Sequence, residues 1–163
     1  MLPFDGGMVE TIDLTQNLAF ANGASTQGTI NLNGGTLETT PIVKGSGTAS
    51  IVFGGGTLKA KKTGTLIPSG VTVTVGEGGG TIDNGGNAIT IAAKFTGTGG
   101  MMFKGGGKTT LDGEATYEGR TTIEVGTALV VPSTKNIGGG LVLTIPAAVP
   151  ADGVYSLLTI SGE

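Results

Sequence analysis

Asp83, Asp112 and Glu114 are the carboxylates of this sequence that come nearest to an acid–base arrangement, and Lys108 and Arg120 are the cations that fall near Asp112. Hydrolysis of a glycosidic bond uses two carboxyl groups about 5 to 10 Å apart, one of them kept protonated by its surroundings. A polysaccharide lyase needs instead a basic Lys or Arg beside a calcium-binding acidic cluster. Each of the three carboxylates stands next to a glycine or at a turn, where an Asp ordinarily accepts hydrogen bonds from its own backbone, and no acidic cluster accompanies the cations. Cysteine and histidine are both absent, which excludes a thiol nucleophile, a disulfide, a zinc finger and an imidazole base. The expectation is therefore a chain with no catalytic residue, no metal site and no cofactor.

Weaker motifs lead to the same reading. Gly79-Gly-Thr-Ile-Asp83 is a single, wrongly spaced echo of the repeated Gly-Gly-x-Gly-x-Asp of calcium-binding solenoids. Gly105-Gly-Gly-Lys108-Thr109 lacks the spacing of a phosphate loop and a following helix, so it reads as a turn. Thr72-Val-Thr74 has the form of an ice-binding unit, but the expected matches are Asn31 and Asn33 in one coil and Val52 and Gly54 in another, so no flat threonine array forms. The side chains left for noncovalent recognition are Tyr117, expected at an outer turn or partly in the core, Arg120, and the cluster Lys59, Lys61 and Lys62.

Nine basic against twelve acidic residues give a net charge of −3, with the basic ones scattered outside that cluster, so a nucleic-acid groove is not expected. The opening MLPFDGGMVE has no basic segment followed by an apolar one, and Leu141 to Pro150, among the longest apolar stretches, is too short to cross a bilayer as a helix. No direct membrane insertion is expected. An export signal is expected to lie outside the sequence.

The elements that must position these side chains come from repetition. Of 163 residues, 33 are Gly and 26 Thr, only 13% are charged, and no segment of ten or more carries a helical period. Gly28-Thr-Ile-Asn-Leu-Asn-Gly-Gly-Thr-Leu-Glu38 returns as Ala49-Ser-Ile-Val-Phe-Gly-Gly-Gly-Thr-Leu-Lys59, each pair 21 positions apart. A looser copy, Val71 to Val75 and Gly78 to Ile82, needs about three extra residues in its second half. Alternation gives each short strand one apolar face, which a single rung cannot bury. Stacked coils would lay Ile30 on Ile51 and Leu37 on Leu58. The predicted core is Ile30, Leu32, Leu37, Ile51, Phe53, Leu58, Val73, Val75, Ile82, Ile89, Ile91, Leu111, Ile123, Val125, Leu141, Leu143 and Leu158. The architecture expected is an all-β, single-stranded parallel β-helix (β-solenoid) of about seven coils, forming one domain over 1–163, with repeat-like coils at 28–131 and closing strands at 141–160. Thr11 to Ala21 reads as the first coil or a cap, and Pro132 to Gly140 as a break.

Gly97 to Val131, GTGGMMFKGGGKTTLDGEATYEGRTTIEVGTALVV, resembles the passenger-associated transport repeat of bacterial autotransporters, also called the autotransporter-associated β-strand repeat. The matching positions are Gly99, Gly100, Lys104, Gly107, Leu111, Gly113, Thr116, Tyr117, Gly119, Thr121, Thr122, Ile123, Gly126 and Thr127. Departures are Ala115 where the family favours Asn, Arg120 where it favours Gly, and Ala128 where it favours Leu. The tail from Ala147 to Gly162 is similar to strands that follow such repeats. The resemblance implies a right-handed parallel β-helix in an exported, cell-surface bacterial protein, used as an adhesin, stalk or display rod.

The function expected is thus a noncatalytic structural or adhesive module, extracellular or on the bacterial surface. Its expected partner is a host or matrix glycan or protein. The alternatives are a small carbohydrate-active β-helix enzyme using Asp83, Asp112 or Glu114, and a fibre unit that associates end to end through unpaired strand edges.

Overall fold

The computed structural model describes residues 2–4, 11–13, 18–132, 137, 139 and 141–143, with backbone only for 2–4, 11–13 and 141–143. Glycine-rich turns cut the chain into strands of two to six residues, and every pairing among them is parallel. The first coil holds β1 (Leu2–Phe4), β2 (Thr11–Asp13) and β3 (Ala19–Phe20), so Thr11 to Ala21, read as the first coil or a cap, supplies two of its three strands. The second holds β4 (Gln27–Leu32), β5 (Thr36–Thr39) and β6 (Val43–Lys44), and the third β7 (Thr48–Phe53), β8 (Thr57–Ala60) and β9 (Gly64–Ile67). The fourth holds β10 (Val71–Val75), β11 (Gly80–Asp83) and β12 (Ala88–Ile91), and the fifth β13 (Lys94–Gly97), β14 (Met101–Lys104) and β15 (Lys108–Leu111). A partial sixth places Ala115 against Phe95 and adds β16 (Thr121–Ile123) and β17 (Ala128–Val130), and β18 (Leu141–Leu143) pairs with β16.

The result is a parallel β-solenoid with three faces and about five turns rather than seven. The expected count divided roughly 150 residues by a coil of about 21. Real coils are longer where corners need extra residues: Ile30 pairs with Ile51 at 21, but Leu58 pairs with Ile82 at 24 and Gly64 with Ile89 at 25. The insertion inferred before Gly78 to Ile82 is therefore present.

Period-two alternation builds the interior. On face 1, Ile30, Ile51, Val73 and Phe95 stack in register, and on face 2 Leu37, Leu58, Ile82, Phe103 and Ile123 do the same. All nine are buried, and on face 3 Ile67, Ile91 and Leu111 form a third ladder. Strands lie about 4.8 Å apart, so each side chain contacts its copy above and below and water is excluded along the rod. Aromatic bulk needs relief nearby. A Cβ on Gly80 would stand 2.5 Å from the Phe53 ring, so Gly80 makes the room that Phe53 fills.

Two expectations about the interior change. Val125 is 39% exposed, because the chain turns directly after Ile123 through Glu124 to Thr127, closed by the Thr127 amide donating to the Glu124 carbonyl at 3.0 Å. The turn interrupts the alternation that would have carried Val125 inward. Thr72 and Thr74 pair with Ser50 and Val52, and these with Thr29 and Asn31, two residues earlier than the expected matches. The face remains an interrupted array, broken by Val52 and by Lys94 beside Thr72. Leu158, the 144–160 part of the closing strands, the Ala147 to Gly162 tail and most of the Pro132 to Gly140 break lie outside the described residues, as do the side chains of Leu141 and Leu143.

Candidate functional site

Asp83 stands at one corner, whereas Asp112 and Glu114 stand two residues apart at another, where the chain passes from β15 to the pairing of Ala115 with Phe95. Asp83 ends β11 at the corner between faces 2 and 3, where its Oδ1 accepts from the Gly85 amide at 2.9 Å and its Oδ2 lies 3.9 Å from Lys104 Nζ. Asp112 follows β15 at the far end of face 3, a four-residue strand or about 13 Å along the chain. Glu114 pairs with Lys94 at 3.3 Å in an exposed position. Lys108 opens β15 and Asp112 follows its last residue, while Arg120 precedes β16 on another face. Asp83 thus caps its own turn as its sequence context suggests, and the geometry forms no carboxyl pair with it.

The Gly105-Gly-Gly turn is likewise occupied by its neighbours. The Gly106 amide donates to Thr127 Oγ1 at 3.0 Å and the Gly107 amide to Asn84 Oδ1 at 2.8 Å, so these two N–H groups are spent on holding adjacent coils together.

The basic cluster is split by the strand it occupies. Lys59 projects outward from β8, where it pairs with Glu38 at 3.3 Å; the register sets Glu38, Lys59, Asp83 and Lys104 side by side on four adjacent strands as an alternating rank of charge. Lys61 and Lys62 lie in the following turn, Lys62 exposed. Arg120 precedes β16, three strand spacings or about 14 Å from β8 along the rod. The five residues singled out for recognition do not form one patch.

Tyr117 is the clearest departure. It is 1% exposed, so its ring offers no face to a ligand and the outer-turn reading is corrected. Ala115 and Tyr117 point inward while Thr116 and Glu118 point out, an alternation visible in the sequence but masked by the flanking Gly113 and Gly119. The ring packs edge-on against Phe95 with centroids 6.3 Å apart, and the hydroxyl shares a hydrogen bond with Thr121 Oγ1. Burial pushes the pKa of its hydroxyl up to about 12, partly offset by the Thr121 bond.

Arg120 does line a concavity. An open groove of about 370 Å³ runs along the corner between faces 1 and 2, lined by Gly55, Gly79, Gly100, Glu77, Met102 and Thr122 among others. Gly55, Gly79, Gly100 and Arg120 occupy equivalent places in successive coils, linked by Gly55 N–H to Gly79 O at 2.8 Å and Met101 N–H to Arg120 O at 2.9 Å. Arg120, where the resembled repeat favours Gly, thus sets a guanidinium in a row whose other described members are glycines. A row of Thr36, Thr57, Thr81, Met102 and Thr122 runs beside it. Hydroxyls, one cation and one carboxylate suit hydrogen-bonded recognition of a polar surface; the groove holds no nucleophile paired with a base.

Asn84 is a structural side chain that sequence reading missed. It is fully buried, its Oδ1 accepting from the Gly86 and Gly107 amides at 3.1 and 2.8 Å and its Nδ2 donating to the buried Thr109 Oγ1 at 3.3 Å. Asn87 adds Nδ2 bonds to the Ala60, Asn84 and Gly85 carbonyls at 3.3, 2.9 and 3.2 Å. The available signal was Asn84-Gly-Gly-Asn87, two amides bracketing a turn. Among the described residues, no group of three or more Asp and Glu is placed to hold a metal, and no helix is long and apolar enough to cross a membrane. Compared with protein-family models, curated proteins and solved structures, the chain matches none of them.

Proposed function

We propose that this chain is a noncatalytic structural and adhesive module of an exported or cell-surface bacterial protein, similar in role to an autotransporter passenger. The observation that carries this reading is the continuous interior ladder, which makes successive coils one rod while alternation turns ranks of Thr, Lys and Glu outward. The engagement of Asp83 with the Gly85 amide and Lys104, and of Glu114 with Lys94, supports it further. The groove that Arg120 lines is the recognition surface in this reading, with a glycan or matrix protein as partner.

The test is binding of the labelled, folded chain to arrays of glycans and extracellular-matrix proteins. Saturable binding to one class, lost in Arg120→Ala with an unchanged melting curve, is the expected result. Turnover of a polysaccharide that is lost in Asp83→Asn, Asp112→Asn or Glu114→Gln would overturn it in favour of an enzyme.

A further inference from the structure

Lys59, Lys94 and Lys104 each stand beside a carboxylate, whereas Arg120 is exposed and, among the described residues, has neither an ion pair nor a side-chain hydrogen bond. It lines the groove between faces 1 and 2, so a planar fork of charged donors stands open in a concavity.

The register fixes what surrounds it. Thr122 follows two residues later on the outer side of β16, and Met102 lies between Thr122 and Thr81 on adjacent strands. Met102 is 40% exposed, so a thioether interrupts a rank of hydroxyls. Beside this rank the floor is bare backbone. A Cβ on Gly79 would stand 2.9 Å from the Gly100 carbonyl oxygen, and the stacking of coils thus keeps the trough free of side chains there. Glu77 lines the same groove two coils from Arg120, about 10 Å along the rod.

These neighbours select a class of ligand. The guanidinium matches a carboxylate or sulfate through two parallel hydrogen bonds. The amides of Gly55, Gly79, Gly80 and Met101 already donate to carbonyls of this chain, so the floor gives a peptide main chain no ladder to extend. Thr81 and Thr122 each donate and accept, which suits a ligand rich in hydroxyls, and the Met102 thioether offers an apolar contact to the C–H face of a sugar ring. The Glu77 carboxylate repels a second acid group near it, so the ligand must carry its acid groups spaced apart and present a neutral ring there.

We propose that this groove binds a linear acidic glycan lying along the rod axis, with an acid group on Arg120 and a neutral sugar beside Thr81, Met102 and Glu77; this rests on the groove being the recognition surface of the chain.

The experiment measures calorimetrically the binding of the purified full chain to hyaluronan oligosaccharides, in which carboxylates alternate with neutral sugars, and to their carboxyl-reduced form. Chondroitin sulfate, polygalacturonate, a neutral glucan and a polyglutamate peptide complete the set. Hyaluronan oligosaccharides are expected to bind saturably and more tightly than polygalacturonate, which bears an acid on every ring. Carboxyl reduction, or Arg120→Ala with an unchanged melting curve, weakens that binding at least about tenfold, and Thr122→Val about threefold. Chondroitin sulfate binding that survives carboxyl reduction and is lost in Arg120→Ala supports the proposal with sulfate as the acid group. Equal binding of the neutral glucan, or an equal loss in Lys62→Ala outside the groove, overturns acid recognition at Arg120 and leaves adhesion itself standing. Binding of polyglutamate in place of every glycan overturns the proposal in favour of an acidic protein partner. Silence toward all of these and toward matrix proteins removes the adhesive reading as well.

Discussion

The two described corners of face 2 solve one problem in different ways. At each, the backbone leaves one sheet and enters the next, and its N–H and C=O groups must still be paired inside a stack of coils. The corner between faces 1 and 2 does this largely by stacking backbone on backbone, so closely that a Cβ on Gly78 would meet the Gly54 carbonyl at 2.7 Å, and one on Gly100 the Arg120 carbonyl at 2.6 Å. The corner between faces 2 and 3 uses a side chain, with Asn84 standing inside the turn and gathering amides from its own coil and the next. The first solution tolerates almost any charge outside but no side chain inside. The second concentrates the cost of failure on one residue.

Both corners rest on a shared apolar interior, and removing that interior should produce the largest effect. Ile51→Asp buries an unpaired charge between Ile30 and Val73 and is expected to destabilise the chain by at least about 4 kcal/mol, with loss of the cooperative melt followed by circular dichroism. A parent-like melt would show that this register is wrong.

The contrast between corners is sharpened by Asn84→Ala, which strands two buried amides and the Thr109 hydroxyl. Denaturant titration should show a loss of about 2–4 kcal/mol. Asn84→Asp keeps the acceptor for both amides and should recover part of that loss.

Raising the pH probes the interior behind the first corner. Folding raises the Tyr117 value from 10.0 to about 12, so the native state holds the proton longer than the unfolded one. Its contribution is complete below pH 10 and falls away as pH rises through about 12, by roughly 2–3 kcal/mol. Tyr117→Phe should flatten that part of a stability-against-pH curve measured by chemical denaturation.

Gly78→Ala presses a methyl group onto the Gly54 backbone and should cost about 1–3 kcal/mol in the same titration, less than Asn84→Ala because the turn can shift outward. A loss exceeding that of Asn84→Ala would reverse the ranking of the corners. Smallest is Lys59→Met, which removes a partly exposed pair with Glu38 and should change stability by less than about 1 kcal/mol, with little further change in high salt.

Much of the interior was legible beforehand because strand alternation and the Gly-Gly-Thr-Leu echo are local patterns; Ile30 over Ile51 and Leu37 over Leu58 follow directly. Val125 misled because alternation was extended past Ile123 into a turn, and Tyr117 because two glycines made an extended segment look like one. Of the recognition candidates, Arg120 alone lines the groove. Lys59 reads as part of a basic cluster only until the coils bring Glu38 beside it.

What the sequence by itself determined is the class of structure: short alternating strands that cannot bury one face alone must stack, and glycine at the bends permits backbone to pass over backbone. What only the tertiary structure decided is the fate of polar side chains at the corners. Asn84, Asn33 and Asn22 share the same local sequence, Asn followed by Gly, yet one is a buried clasp and two are exposed, because their partners come from coils 20 to 25 residues away. Hydrogen-bond satisfaction at such a distance is a property of register, and register accumulates every insertion that the turns absorb.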